Sequence, residues 1–143
     1  MMTINEWSDA TAMAQAVKNK TVSPRELVEV TIREAERTNP KINAIVSQRY
    51  EKALKEAEAR DFSEKPFAGV PIFLKDLGQE QAGEPSTAGS RLFTSYHATE
   101  TDNYVKKFEE LGFIILGRSS TPEFGFKNIS DAQIHGPVNL PDD

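Results

Sequence analysis

Two short apolar runs, Val70 to Leu74 and Phe113 to Leu116, bracket the most regular helical pattern in the sequence, and this order constrains the fold more than any other feature. Between Thr101 and Leu111, the residues Tyr104, Val105, Phe108 and Leu111 recur at the spacing of one helix face, and Gly112 stands where a helix-ending glycine belongs. That helix feeds at once into Phe113-Ile114-Ile115-Leu116, which reads as a buried strand. Val70 to Leu74 reads the same way, with Pro71 near its start, where a missing N–H does least harm. Strand, helix and strand in this order form a βαβ-like unit. Such units set the loops after their strands at a ligand crevice. The predicted class is α/β.

Upstream, the sequence predicts helices. Ser8 and Asp9 can cap a segment in which Ala10, Met13 and Val17 share a face. Ser23-Pro24-Arg25-Glu26 is a second helix start: a Ser cap, Pro at the first helical position, and Glu three residues after the Ser. Leu27, Val30 and Ala35 carry that helix to a predicted stop at Asn39-Pro40. Ile42 to Val46 reads as a short strand. Tyr50 to Arg60 is rich in strong helix formers, with Ala53, Leu54 and Ala57 inward. Gly78 to Ser90 holds three Gly and several small polar residues, so a long functional or disordered loop is expected there.

Composition removes several function classes. A net charge of −5, with 17 basic residues scattered among 22 acidic ones, is the wrong balance for a nucleic-acid binder. The absence of cysteine excludes disulfides and Cys-ligated zinc and fits a reducing cytoplasm, the predicted location. No apolar run approaches the roughly 20 residues of a membrane helix. The start, Met-Met-Thr-Ile-Asn-Glu-Trp, lacks the basic and apolar regions of a secretory signal.

Lys75 is the candidate catalytic residue. It closes the apolar run, on the same face as Phe73 by strand alternation. Burial of an ammonium disfavours its charged form, which is how a lysine becomes a usable base. The alternative is a strand-end lysine with its stem on the sheet and its amine in water. Strand-end lysines are common and base lysines rare, so composition alone favours the second reading. Asp76 is either a turn residue or a hydrogen-bonding organiser, and alternation argues against a direct pair with Lys75. Ser86, Thr87, Gly89 and Ser90 form either a small-residue wall, open to close approach by a substrate or a second loop, or a mobile surface loop. Ser120 and Glu123 have capping-box spacing, so Ser120 reads as a helix cap, and with no histidine nearby in sequence neither it nor Ser119 reads as a nucleophile. His97 and His135 lack any metal-ligand spacing and read as structural or exposed; no metal site and no nucleotide motif is predicted.

Taken in order, these segments resemble one family. Phe67-Ala68-Gly69-Val70-Pro71-Ile72-Phe73-Leu74-Lys75-Asp76 is similar to the stretch holding the catalytic lysine of amidase-signature enzymes. Ser86-Thr87-Ala88-Gly89-Ser90 matches the small-residue segment that follows it there. Thr101-Asp102 to Gly117-Arg118 resembles that family's helix, Gly turn and strand, Thr121-Pro122-Glu123-Phe124 its next helix start, and Gly136-Pro137 with Asn139 the approach to its signature region. The resemblance implies an α/β core with a mixed sheet, its residues 1–66 a helical wrap and 67–143 the start of the core. It implies hydrolysis of a small-molecule carboxamide without metal or cofactor. In the family an unprotonated lysine takes a proton from a serine on a cis peptide bond. That serine activates a nucleophilic serine, and backbone N–H groups of a glycine-serine loop hold the oxyanion.

Both serines belong to a Gly-Gly-Ser-Ser-Gly-Gly-type segment, and the 143 residues end at Pro141-Asp142-Asp143 before any such segment. The expectation is an amino-terminal fragment, an incomplete amidase-signature core, inactive alone. It should expose apolar surface and an open strand edge, and so self-associate. The alternatives are a non-catalytic binding or assembly module with this fold, or an enzyme completed by a separate chain.

Overall fold

Both amino-terminal helices begin at side-chain caps. A computed structural model describes residues 8–141. Asp9 accepts a hydrogen bond from the Ala12 N–H and starts α1 (Ala10–Lys18). Ser23 accepts from the Glu26 N–H while the Glu26 carboxylate accepts from the Ser23 N–H at 2.8 Å, a complete capping box for α2 (Pro24–Ile42).

Helix α2 overruns the predicted stop at Asn39-Pro40. Pro40 lies in the last turn, so its missing N–H removes a single bond at a fraying end. The Asn39 side chain then closes the turn, accepting from the Ile45 N–H at 2.7 Å and donating to the Ile45 carbonyl at 3.0 Å. Asn43 ends the helix in the left-handed region, at φ 52°. The strand predicted over 42–46 is thereby displaced to β1 (Ile45–Gln48). Leu27 and Ala35 turn inward as expected, but Val30 is 48% exposed, and Val28 and Ile32 complete the buried face. Helix α3 (Tyr50–Ala59) buries Ala53 and Ala57 as predicted.

The sheet is mixed, with strand order β1-β3-β2. Strand β2 (Pro71–Lys75) runs parallel to β3 (Ile114–Ser119), joined through α4 (Asn103–Leu111), while β1 lies antiparallel on the other side of β3. Gly112 ends α4 at φ 102°, the predicted left-handed cap.

Alternate residues of β3 serve two cores. Ile114 and Leu116 pack with Val28, Ile32, Ala53 and Ala57 of α2 and α3. Ile115 packs with Leu74 and with Val105 of α4. A third cluster joins Ala14 of α1 to Val70 and Phe113, where the Phe67 and Phe113 rings stack at 4.6 Å. The sheet is therefore the middle of three layers. One glycine is indispensable to it. A Cβ on Gly117 would stand 2.0 Å from the Ser47 carbonyl oxygen, at φ +151°, so β1 can approach β3 only because no side chain is there.

Candidate active site at the end of strand β2

Lys75 is the last residue of β2, and its side chain is exposed while those of Leu74 and Asp76 are buried. No salt bridge reaches its amine among the described residues. Its backbone is held tightly by contrast. The Lys75 N–H donates to the Gln79 side-chain oxygen at 2.6 Å, and the Lys75 carbonyl accepts from Arg118 Nη1 at 3.1 Å. The same Nη1 donates to the Gln79 carbonyl at 2.8 Å. Across the sheet Lys75 pairs with Ser119, whose hydroxyl donates to the Leu74 carbonyl at 3.3 Å. That bond engages a hydroxyl the sequence had already set aside as a nucleophile.

Asp76 is the organiser rather than a turn residue. It is 1% exposed, and its N–H donates to the Ser119 carbonyl at 3.0 Å. One carboxylate oxygen accepts from the Thr87 N–H at 2.9 Å and the other from the Thr87 hydroxyl. His135 Nε2 stands 3.5 Å from that second oxygen and 3.2 Å from the Thr87 hydroxyl. One buried carboxylate thus ties three distant segments together: the end of β2, the loop after it, and the stretch near residue 135. His97, by contrast, is exposed; its backbone bridges Pro85 and its ring Nδ1 lies 3.3 Å from the Ser95 carbonyl.

Of the two readings for Ser86 to Ser90, the wall is the one that forms. Ser86, Thr87 and Ser90 are buried. A Cβ on Gly89 would come within 2.8 Å of the Thr121 carbonyl oxygen, and the Phe124 N–H donates to the Ala88 carbonyl at 2.9 Å. What approaches the small residues is the second loop, Thr121 to Phe124.

The predicted capping box at Ser120 and Glu123 does not form. A three-residue 3-10 turn, Glu123–Gly125, follows Pro122 with no side-chain cap. Ser120 is drawn onto the β1 side instead, its N–H donating to the Ala44 carbonyl at 2.8 Å, and its buried hydroxyl has no hydrogen-bond partner among the described residues. The turn begins at Glu123 with Pro122 at its cap position, so Ser120 stands two residues too early to cap it.

Two buried charges escaped the sequence reading. Arg118 is 2% exposed, and burial pulls its proton affinity down. Glu84 anchors the loop after β2: burial would raise its carboxyl, but the Lys52 ammonium at 2.6 Å and the Arg49 guanidinium at 3.3 Å hold it below the usual carboxylate range. Arg49 in turn donates to the Ile115 carbonyl at 2.7 Å. The signal for Arg118 was its place in Ile114-Ile115-Leu116-Gly117-Arg118, a charge directly extending an apolar strand. His135 carried no local signal, because its partners lie in other segments. No group of three or more His, Asp or Glu side chains converges as a metal site among the described residues.

The arrangement offers an accessible amine on a fixed backbone, at the strand end where crossover units open their crevice. A neutral amine there could accept a proton. The nearby hydroxyls are both engaged, that of Ser119 with the Leu74 carbonyl and that of Thr87 with Asp76, with His135 Nε2 3.2 Å from the Thr87 oxygen.

The Amidase family model matches residues 26–143. A lipoamidase of Enterococcus faecalis is 41% identical over 133 residues, which is 92% of this chain and 18% of the lipoamidase. A 6-aminohexanoate-cyclic-dimer hydrolase of Paenarthrobacter ureafaciens is 34% identical over 143 residues, 99% of this chain and 28% of that protein. The solved structure of a 6-aminohexanoate cyclic dimer hydrolase superposes with a TM-score of 0.91 at 34% identity, covering 99% of this chain and 29% of the other. A bacterial aryl acylamidase of the amidase signature family gives a TM-score of 0.85 at 32% identity, covering 96% and 30%. The chain spans less than a third of the length of these relatives.

Proposed function

The chain belongs to the amidase family, and on that footing we propose that it is the amino-terminal part of one amidase domain, with Lys75 as the base of a Ser–cis-Ser–Lys triad. The observation that carries this reading is Lys75 itself, a lysine with no acidic partner among the described residues, at the carboxyl end of a parallel strand, on a backbone fixed from both sides. In the proposed reaction the Lys75 amine accepts the proton of a first serine. That serine takes the proton of a second, whose oxygen attacks the carbonyl carbon of a small carboxamide. The C–N bond then breaks, the nitrogen leaves protonated, and water releases the acyl group. The chain's own residues neither require nor supply a metal or cofactor in this scheme.

Lys75 is solvent-exposed here, whereas a lysine base needs dry surroundings to stay neutral. We assign that cover, with both serines and the oxyanion loop, to polypeptide outside these 143 residues, which hold no Gly-Gly-Ser-Ser-Gly-Gly-type segment. The 143-residue chain alone therefore hydrolyses no amide in this reading. Leu92 is 77% exposed and Phe126 is 87% exposed, and β2 hydrogen-bonds as a strand only to β3 among the described residues. Such surface favours self-association of the isolated chain. A sedimentation profile of a single monomer that binds no hydrophobic dye would overturn that part. No described helix is long and apolar enough to cross a membrane. A cytoplasmic site of action is part of the proposal, and the cysteine-free sequence suits it.

The test is amine or ammonia release from a panel of small carboxamides by the complete gene product. Turnover supports the amidase reading. A folded complete product that binds amides without hydrolysing any would favour a non-catalytic binding module.

A further inference from the structure

We propose that Arg118, together with Gln79, is a positioning residue that fixes the backbone of Lys75 and so sets where its amine stands; this rests on the reading of Lys75 as the base. Strand ends fray, and Lys75 is the terminal residue of an edge strand, with an exposed side chain. Two polar side chains do the holding. Gln79 takes the Lys75 N–H, and Arg118 Nη1 bridges the Lys75 and Gln79 carbonyls, closing residues 75–79 into a stapled loop. On the following residue, the Asp76 N–H binds the Ser119 carbonyl, next along β3 from Arg118.

Arg118 is a costly way to hold a fold. Its guanidinium is buried, its hydrogen bonds go to neutral carbonyls, Nη2 has no hydrogen-bond partner among the described residues, and the carboxylates of Asp76, Glu80, Glu84 and Asp102 offset its burial only in part, through space. A buried charge is commonly no more stabilising than an apolar residue of like volume, even where opposite charges offset it. What the guanidinium adds, and a methionine could not, is the bridge between two carbonyls on either side of the Lys75 turn. A base on a four-carbon stem inherits every shift of its Cα. Misplacement by about 1 Å can cost on the order of 100-fold in rate.

The test uses Arg118→Met, Arg118→Lys and Gln79→Leu in the complete gene product, with Lys75→Ala as reference. Arg118→Met is expected to lower kcat by roughly 10- to 100-fold with KM within about twofold. Arg118→Lys should recover most of that loss, because one nitrogen makes both bonds. If Arg118→Met does not fold, Gln79→Leu carries the test, since it removes only the acceptor for the Lys75 N–H and should show the same kcat-only loss. In the 143-residue chain, both variants should speed hydrogen exchange at the Lys75 amide at least tenfold while leaving Ile115 unchanged. An inactive Lys75→Ala beside a Gln79→Leu or folded Arg118→Met of unchanged kcat overturns the positioning role and leaves the base intact. A fully active Lys75→Ala overturns the base and the positioning role with it.

Discussion

Helices α1 to α3 and the loops gathered around the ends of β2 and β3 are held by different means. The helices rest on side-chain caps at Asp9 and Ser23 and on small and branched apolar contacts such as Val28, Ile32, Ala53 and Ala57. The loops have little regular structure, and buried polar side chains hold them. Asp76 holds Thr87 with His135 beside it, Arg118 holds residues 75 and 79, and Arg49 and Lys52 hold Glu84. Apolar packing weakens by degrees when a side chain is trimmed. A buried polar group that loses its partner suffers the full desolvation penalty at once. The site region is therefore more rigid than its lack of helix or strand suggests, and more brittle.

The contrast can be broken or sharpened by substitution. The largest effect is expected at the seam between the two regions: Gly117→Ala, which drives a Cβ onto the Ser47 carbonyl, should cost about 3 kcal/mol or more in urea unfolding. A loss under about 1 kcal/mol would mean β1 is not pressed against β3. Next, Asp76→Ala strands the Thr87 N–H and hydroxyl and should cost about 2–3 kcal/mol, read from the same denaturation curves.

Glu84 gives a smaller effect with a definite sign. Its folded carboxyl sits below the ordinary range, so its contribution is present above the unfolded-state value and is lost as pH falls through the folded one. Acid unfolding of Glu84→Gln should accordingly show a flatter pH dependence than wild type below about pH 4.5. An identical slope would remove Glu84 from the anchoring role. The smallest effect belongs to the helices. Ser23→Ala, which opens the capping box, should cost about 1 kcal/mol of thermal or urea stability. A cost above that of Asp76→Ala would reverse the contrast.

The same difference decides what the sequence could disclose. Capping, periodicity and the terminal glycine of α4 are local, so Ser23-Pro24-Arg25-Glu26 and Tyr104 to Gly112 were legible as they stand. Pro40 misled because a proline in a last turn forfeits so little. Ser120 and Glu123 misled because matching spacing does not create the helical turn a cap requires. In the site, Lys75 drew notice as a charge closing an apolar run. His135 and Arg118 did not: His135 reaches Asp76 and Thr87 only through the fold, and the carbonyl partners of Arg118 lie 43 and 39 residues away in the chain. Long-range polar contacts leave no period in a sequence.

The central claim is that the Lys75 amine is the proton acceptor that starts amide hydrolysis. The direct measurement is kcat for a small carboxamide in the complete gene product and its Lys75→Ala variant, with folding of both checked by circular dichroism. A fall of roughly 1000-fold is the predicted result. A folded variant turning over within about threefold of wild type would contradict it.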